Sequence, residues 1–281
     1  MHDSLLVRAI QANVSTALAE DMGSGDLTAQ LIPAERTASA TLITREPAVL
    51  CGSAWFEACF TALDPSVQIV WHVAEGEGFV ANAVLCKMSG NARAILSAER
   101  PALNFLQTLS ATATITRRYV QAIAGTATVI MDTRKTLPGL RLAQKYAVKT
   151  GGGVNQRDGL FDGVLIKENH IAAAGGIAAA LKNAQRQTPS GIPIQIEVES
   201  LAELAQALAA GAELILLDNF DLDCLRKAVQ LTAKRAILEA SGGINLENVR
   251  AIAECGVDRI SIGGLTKHVQ AVDLSLRILT E

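Results

Sequence analysis

The sequence predicts an α/β protein in which an open, incomplete parallel α/β barrel follows a smaller mixed α/β unit. Three observations predict it. Beyond about residue 110, short apolar strands alternate with helical stretches, the pattern of a parallel sheet with crossover helices. Those strands are almost continuously apolar, as strands buried on both faces are. Ahead of residue 105, segments that alternate or run β-branched, as strands do, lie between two helical stretches, the pattern of a mixed α/β unit with an antiparallel sheet. A composition of 49% hydrophobic but only 4% aromatic residues suits helices packed on buried strands better than a β-sandwich.

The elements follow in order. Leu5 to about Glu20 carries apolar residues at helical spacing and stops at the loop Asp21-Met22-Gly23-Ser24-Gly25-Asp26. Strands are expected within 38–50 and 67–74, then a helix from Ala92 through Leu106. The βα series has strands at 126–132, 163–167, 193–199, 213–218, 235–241 and 258–264. Its helices are expected at Arg141–Lys149, Ile177–Gln187, Leu201–Ala210, Asp221–Ala233 and Asn245–Cys255. Six strands are fewer than the eight of a closed barrel, hence an open one. The expected division is an N-terminal domain over 1–108, joined by a C-terminal helix over 267–281, and a barrel over 109–266.

Charge restricts the function. The net charge is −3, which excludes a general nucleic-acid binder. Yet 132–170 holds seven basic residues (Arg134, Lys135, Arg141, Lys145, Lys149, Arg157, Lys167) against four acidic ones, a local excess of three positive charges. A solvated helix face or a pocket for a small polyanion would both produce it. Five widely spaced cysteines with no CxxC read as reduced core thiols of a cytoplasmic protein. The N-terminus has no signal-peptide pattern, and no apolar run approaches the roughly 20 residues of a membrane span.

In βα barrels the chemistry sits at the carboxyl ends of the strands. Here those ends read Asp132-Thr133-Arg134-Lys135, Lys167-Glu168-Asn169-His170, Glu197 with Glu199, Asp218-Asn219, Glu239 with Ser241-Gly242-Gly243, and Ser261 with Gly263-Gly264. A single strand-end charge is merely where the chain meets water, but six in succession point to one shared site. Ser241-Gly242-Gly243 before a helix offers backbone N–H groups and a helix N-terminus to a phosphate, and Gly263-Gly264 follows the last strand where barrels hold phosphate. Glu197 and Asp218 suit Mg²⁺ bridged to substrate phosphates, or ribose hydroxyls. Arg134, Lys135, Arg157 and Lys167 suit carboxylates and pyrophosphate. The triple glycine at 151–153 lacks the GxGxxG spacing and reads as helix termination and close packing.

The run DTRKTLPGLRLAQKYAVKTGGGVNQRDGLFDGVLIKENH (132–170) resembles the central signature of the quinolinate phosphoribosyltransferase family. EDMGSGDLT (20–28), ERPALNFLQTLSATAT (99–114), IEVES (196–200), LLDN (216–219), EASGGI (239–244) and SIGGLTKHVQAVDLS (261–275) extend it collinearly over most of the chain. The resemblance implies an N-terminal α/β sandwich domain beside an open barrel, in a homodimer or larger hexamer whose sites form between paired subunits. It implies an enzyme that joins quinolinate to 5-phosphoribosyl-1-pyrophosphate (PRPP) and decarboxylates it, with Mg²⁺, no organic cofactor, and no nucleic-acid or membrane partner.

By the same resemblance Arg100 reaches the neighbouring subunit's site and holds a quinolinate carboxylate. Arg134, Lys135, Arg157 and Lys167 line the quinolinate and pyrophosphate pockets. Glu197 and Asp218 lie near ribose and Mg²⁺, and with Lys135 and Lys167 form the expected catalytic set. Ser241, Gly242, Gly243, Ser261, Gly263, Gly264 and Lys267 surround the 5-phosphate. Many relatives read Asn-His-Arg where this chain has Asn155-Gln156-Arg157, so Gln156 is expected as a neutral substrate contact that cannot carry a proton charge. The competing readings are a relative with another acceptor, such as the homologues associated with molybdenum transport, a Schiff-base aldolase using Lys167, and a non-catalytic PRPP-binding regulator.

Overall fold

The computed structural model describes residues 3–279. Its strands are β1 Thr37–Thr44, β2 Ala48–Val49, β3 Gln68–Trp71, β4 Gly78–Phe79, β5 Val84–Asn91, β6 Val129–Met131, β7 Val164–Ile166, β8 Ile194–Val198, β9 Leu214–Asp218, β10 Ile237–Ser241, β11 Arg259–Ser261 and β12 Leu274–Leu279. Its helices are α1 Asp3–Met22, α2 Ser53–Leu63, α3 Ala92–Ala122, α4 Arg141–Thr150, α5 Glu168–Ala174, α6 Ile177–Gln187, α7 Leu201–Ala209, α8 Leu222–Thr232, α9 Val249–Glu254 and α10 Gly264–Lys267. The residues divide into two compact units. One comprises the chain through Arg117, Leu137–Gly152 and the segment from His268 on; the other comprises Arg118–Thr136 and Gly153–Lys267.

The first unit is built on an antiparallel sheet of order β12-β1-β5-β3. Strand β1 alternates buried and more exposed residues, so Ala40, Leu42 and Thr44 share the face turned to the core. Against that face pack Trp55, Phe56 and Phe60 of α2 and Ile95, Leu106 and Leu109 of α3. The Phe56 ring lies 4.9 Å from Phe60 and 5.4 Å from Trp71, within aromatic contact distance. Helix α2 begins at Gly52, whose φ of 104° is left-handed; the Glu75 carboxylate accepts from the Gly52 and Ser53 N–H groups at 2.8 and 3.1 Å. That satisfies two of the donors a helix start leaves open. All five cysteines are free, and burial pushes the Cys59 and Cys86 thiols up to about 12, as inert core thiols require.

The chain's end differs from expectation. In place of the expected helix over 267–281, the short α10 ends at Lys267 and β12 pairs antiparallel with β1, Arg277 opposite Thr41. The segment LSLRIL has the alternation and branching of an edge strand, and β1 offers an unpaired ladder to receive it. Residues 280–281 lie outside the described residues.

In the second unit six parallel strands follow the order β6-β11-β10-β9-β8-β7. The first strand in the chain thus lies beyond the last, which is the wrap of a barrel. Among the described residues β6 and β7 do not pair, so the barrel is open between them, and Val154 bridges Met131 at that edge. Gln195 of β8 hydrogen-bonds Glu239 of β10 across the intervening β9. Strands two places apart in a flat sheet are about 9.5 Å apart, so this contact reflects strong inward curvature. Helices α6, α7 and α8 bury Leu181, Leu204 and Leu225. No helix among the described residues is long and apolar enough to cross a membrane.

The glycine run after α4 has the packing role its spacing implies. A Cβ on Gly151 would lie 2.5 Å from the Ala113 carbonyl oxygen and 2.6 Å from Thr116 Cβ. Gly151→Ala should therefore destabilise the protein by about 1–3 kcal/mol, the usual range for overpacking, seen as a lower urea midpoint at unchanged slope.

Candidate active site

The strand ends of the second unit form one rim. Moving along the sheet, β7 delivers Lys167, β8 Glu197, β9 Asp218 and Asn219, β10 Ser241-Gly242-Gly243, β11 Ser261 and the turn Gly263-Gly264, and β6 the segment Thr133-Arg134-Lys135. Lys167 Nζ donates to both oxygens of Glu197, at 3.0 and 3.2 Å. Glu197 is nearly buried while the lysine side chain is about half exposed, so the acid is fixed and the ammonium faces the opening. With both oxygens of one carboxylate on Nζ, the lysine is held as an ion-pair partner and not presented as a nucleophile.

The anion cradle is a backbone construction. Asn219 takes a left-handed φ of 56° and its N–H donates to the Ser241 carbonyl at 2.9 Å. Its side chain donates to Asp218 at 2.8 Å, orienting that carboxylate. Gly242 has a φ of 96°, and a Cβ there would collide with the Asn219 amide, so glycine is required on two counts. Gly263 is overlaid by Lys135: a Cβ would come within 2.9 Å of Lys135 Cδ. Lys135 is anchored by its main chain, its N–H donating to Thr133 Oγ1 at 3.0 Å and its carbonyl accepting from Thr266 Oγ1 at 2.8 Å. One expectation needs correction. The glycines do not abut a helix N-terminus, because α9 starts only at Val249 and Asn245–Asn248 form a turn stapled by side-chain bonds. The donors at this point are those of a glycine turn.

The opposite side of the rim is basic. The Gln156 N–H donates to Asp132 Oδ1 at 2.8 Å, which ties the Asn155–Arg157 segment to the end of β6. Arg157 Nη1 donates to the Gly163 carbonyl at 2.8 Å, while its Nε is buried with no partner. Burial, and after it the positive charge of Arg134, lower the proton affinity of Arg157; Asp162 partly offsets them. Two guanidinium groups that oppose each other in a partly buried setting are a site prepared for an anion.

All the expected site residues except Arg100 belong to this unit; Arg100 is exposed on α3 in the other, next to Pro101. Lys267 is exposed at the end of α10, and Ser261 is buried beneath the rim. Glu239 reads in the sequence as a strand-end acid but sits one pleat deeper than Ser241, only 1% exposed. Glu199 turns to α7, its N–H donating to Glu203 at 2.8 Å, and takes no part. Sequence reasoning missed Asp132 and Asn219 as organisers and Gln195 altogether. Gln195 carries a signal: it is the one polar residue in the apolar stretch Pro193–Ile196, on the same strand face as Glu197.

Among the described residues no cluster of three or more His, Cys, Asp or Glu is placed to hold a metal ion. The donors fit Mg²⁺ in its usual enzyme mode, with one or two carboxylates, here Asp218 and Glu197 on adjacent strands, and the rest from water and substrate phosphates.

Two family descriptions match the chain. "Quinolinate phosphoribosyl transferase, N-terminal domain" covers residues 26–110, and "Quinolinate phosphoribosyl transferase, C-terminal domain" covers 112–277. A Bacillus subtilis protein named as a probable nicotinate-nucleotide pyrophosphorylase (carboxylating) is 42% identical over 92% of this chain and 90% of its own length. The Mycobacterium leprae nicotinate-nucleotide pyrophosphorylase (carboxylating) is 40% identical over 95% and 96%. Among solved structures, the nicotinate-nucleotide pyrophosphorylase from Francisella tularensis aligns with a TM-score of 0.93 and 46% identity, covering 97% of this chain and 96% of that one.

Gly242→Ala should displace Asn219 and deform the cradle. The expected result is inorganic phosphate binding weakened about tenfold or more in calorimetry, the size of one lost hydrogen bond to a charged group, with little change in melting temperature.

Proposed function

This chain belongs to the quinolinate phosphoribosyltransferase family, and from that premise we infer that it transfers the phosphoribosyl group of PRPP to quinolinate. The products are nicotinate mononucleotide, pyrophosphate and carbon dioxide, a step of pyridine-nucleotide and NAD biosynthesis. The observation that carries the reading is the division of one rim into two anion sites. Arg134, Gln156 and Arg157 suit the acceptor's carboxylates, and the Gly242–Gly243 and Gly263–Gly264 turns suit the donor's phosphate. Lys167, Glu197 and Asp218 stand on the strands between.

The pyridine nitrogen forms a bond to the anomeric carbon as the bond to the pyrophosphate oxygen breaks, and positive charge gathers on the ribose. Glu197, fixed by Lys167, and Asp218, fixed by Asn219, face that charge. Lys135 and Lys167 meet the departing pyrophosphate. Mg²⁺ held through Asp218, Glu197 and the phosphates would supply further neutralisation of the leaving group. With the ring nitrogen quaternary, the 2-carboxylate leaves as carbon dioxide, its electron pair stays on the ring carbon, and a proton from solvent replaces it. Both substrates are polyanions, so the protein's task is to align them and offset charge.

The reading includes a cytoplasmic homodimer. Arg100 supplies a carboxylate clamp to the partner's site, in keeping with its exposed position on α3 and its place in the matched N-terminal domain. The Lys167–Glu197 ion pair weighs against the aldolase reading.

Pyrophosphate release from PRPP with Mg²⁺ should require quinolinate and be matched by carbon dioxide; release with nicotinate instead would replace the acceptor. Arg100→Ala should cost about 2–5 kcal/mol in kcat/KM. Mixed with Arg134→Ala after subunit exchange, it should recover part of the activity through hybrid dimers. No recovery after verified exchange would exclude a shared site.

A further inference from the structure

We propose that Glu239, acting through Gln195, is a positioning residue that fixes the amide of Gln156 with its nitrogen end committed as the donor for an acceptor carboxylate. The inference rests on the transferase reading and deepens it by naming what governs acceptor binding. Gln195 Nε2 donates to Glu239 Oε2 at 2.9 Å, and Gln156 Nε2 donates to Gln195 Oε1 at 3.2 Å. Gln195 and Glu239 are 8% and 1% exposed, so water does not compete for these bonds.

The sense of the relay follows from its inner end. A carboxylate only accepts, so Gln195 turns its nitrogen to Glu239 and its oxygen to Gln156, and Gln156 must answer with nitrogen. One acid thereby sets the sense in which the two amides bond to each other. The distinction matters for a carboxylate ligand, which an amide nitrogen attracts and an amide oxygen repels. The Gln156 main chain is held as well, by Asp132. Gln156, Arg157, Gln195 and Glu239 line one cavity of about 130 Å³, shared with the strand starts Val164 and Leu214 inside the barrel.

Glu239 makes poor sense as a purely structural residue. It is 1% exposed and its bond is to a neutral amide, an arrangement whose desolvation cost an apolar side chain of similar size would remove. Its retention inside the barrel is explained by what it orients.

The test uses full-length enzyme and the variants Glu239→Gln, Glu239→Met and Gln195→Met, with KM measured separately for quinolinate and PRPP, and melting temperature alongside. Glu239→Gln keeps the volume but can donate as well as accept, so it releases the sense of both amides. All three should raise KM for quinolinate about tenfold, as for one hydrogen bond to a charged group, and leave KM for PRPP within about twofold. Glu239→Met should melt at or above the wild-type temperature. An unchanged quinolinate KM, an equal rise in both KM values, or unfolding of the Glu239 variants would overturn the relay while leaving the transferase reading intact. A wild-type enzyme with no quinolinate-dependent turnover would remove that reading, and the relay with it.

Discussion

The parallel ladder that runs from β7 through β11 to β6 sets where each side chain of the site can point. Register places Ser241 opposite Asp218, Leu216 opposite Glu197, and Ser261 opposite Met131. Side chains alternate with period two along each strand, so a one-residue slip would send an acid outward among the buried leucines of the helices. The apolar residues Ile196, Val198, Ile215, Leu217, Leu238 and Ala240 hold the register from outside, because only one alternation buries all of them. The polar set Gln195, Glu197, Asp218, Glu239 and Ser241 is what the same alternation leaves on the concave face. The site is thus a consequence of the core.

Within that face, polarity is layered by depth. At the opening charge is partly solvated: Lys167 leans on one acid, and Arg134 lies near enough to Arg157 for their charges to oppose. Toward the barrel interior amides join a buried acid, where an unpaired group is far more costly. Loops then fix what strands cannot. Asp162 accepts from the Asp158 and Gly159 N–H groups at 2.7 and 2.8 Å and closes the turn that sets Arg157 beside Gly163. Asn219, in its left-handed conformation, joins β9 to β10 and shapes the phosphate turn between them. These precise placements act by holding groups where charge develops, which is how rigid protein dipoles accelerate a reaction without reorganising.

The βα half of the fold was readable because periodicity and strand length are local signals. The strands β6 to β11 fall within the apolar runs, and α6 coincides with the helical pattern Ile177–Gln187. Strand β5 was missed: VLCKMSGN alternates weakly, and its identity comes from pairing with β1 and β3 on both sides. The C-terminal strand was missed for a related reason, since its partner β1 lies more than 200 residues away in the chain. In the site, residue types were visible but depth was not. Glu239 and Glu197 look alike as strand-end acids, and register sets both level with Leu216, yet Glu197 pairs with Lys167 while Glu239 bonds to an amide. Gln195 became meaningful only when curvature brought it to Glu239 across β9.

The same curvature gives Gln156 its chemical character. An imidazole at this position would bring a charge that changes near neutrality, and its attraction for a carboxylate would vary with pH. An amide brings a weaker but constant donor, and its weakness is the rotational ambiguity of its two ends. The Gln195–Glu239 pair removes that ambiguity from the protein's interior, where no proton exchange with solvent is needed. On the proposed reading, charge for the acceptor comes from the guanidinium groups of Arg134 and Arg157. On that reading, charge and orientation are assigned to different residues, the arginines attracting the acceptor and the amide relay orienting it.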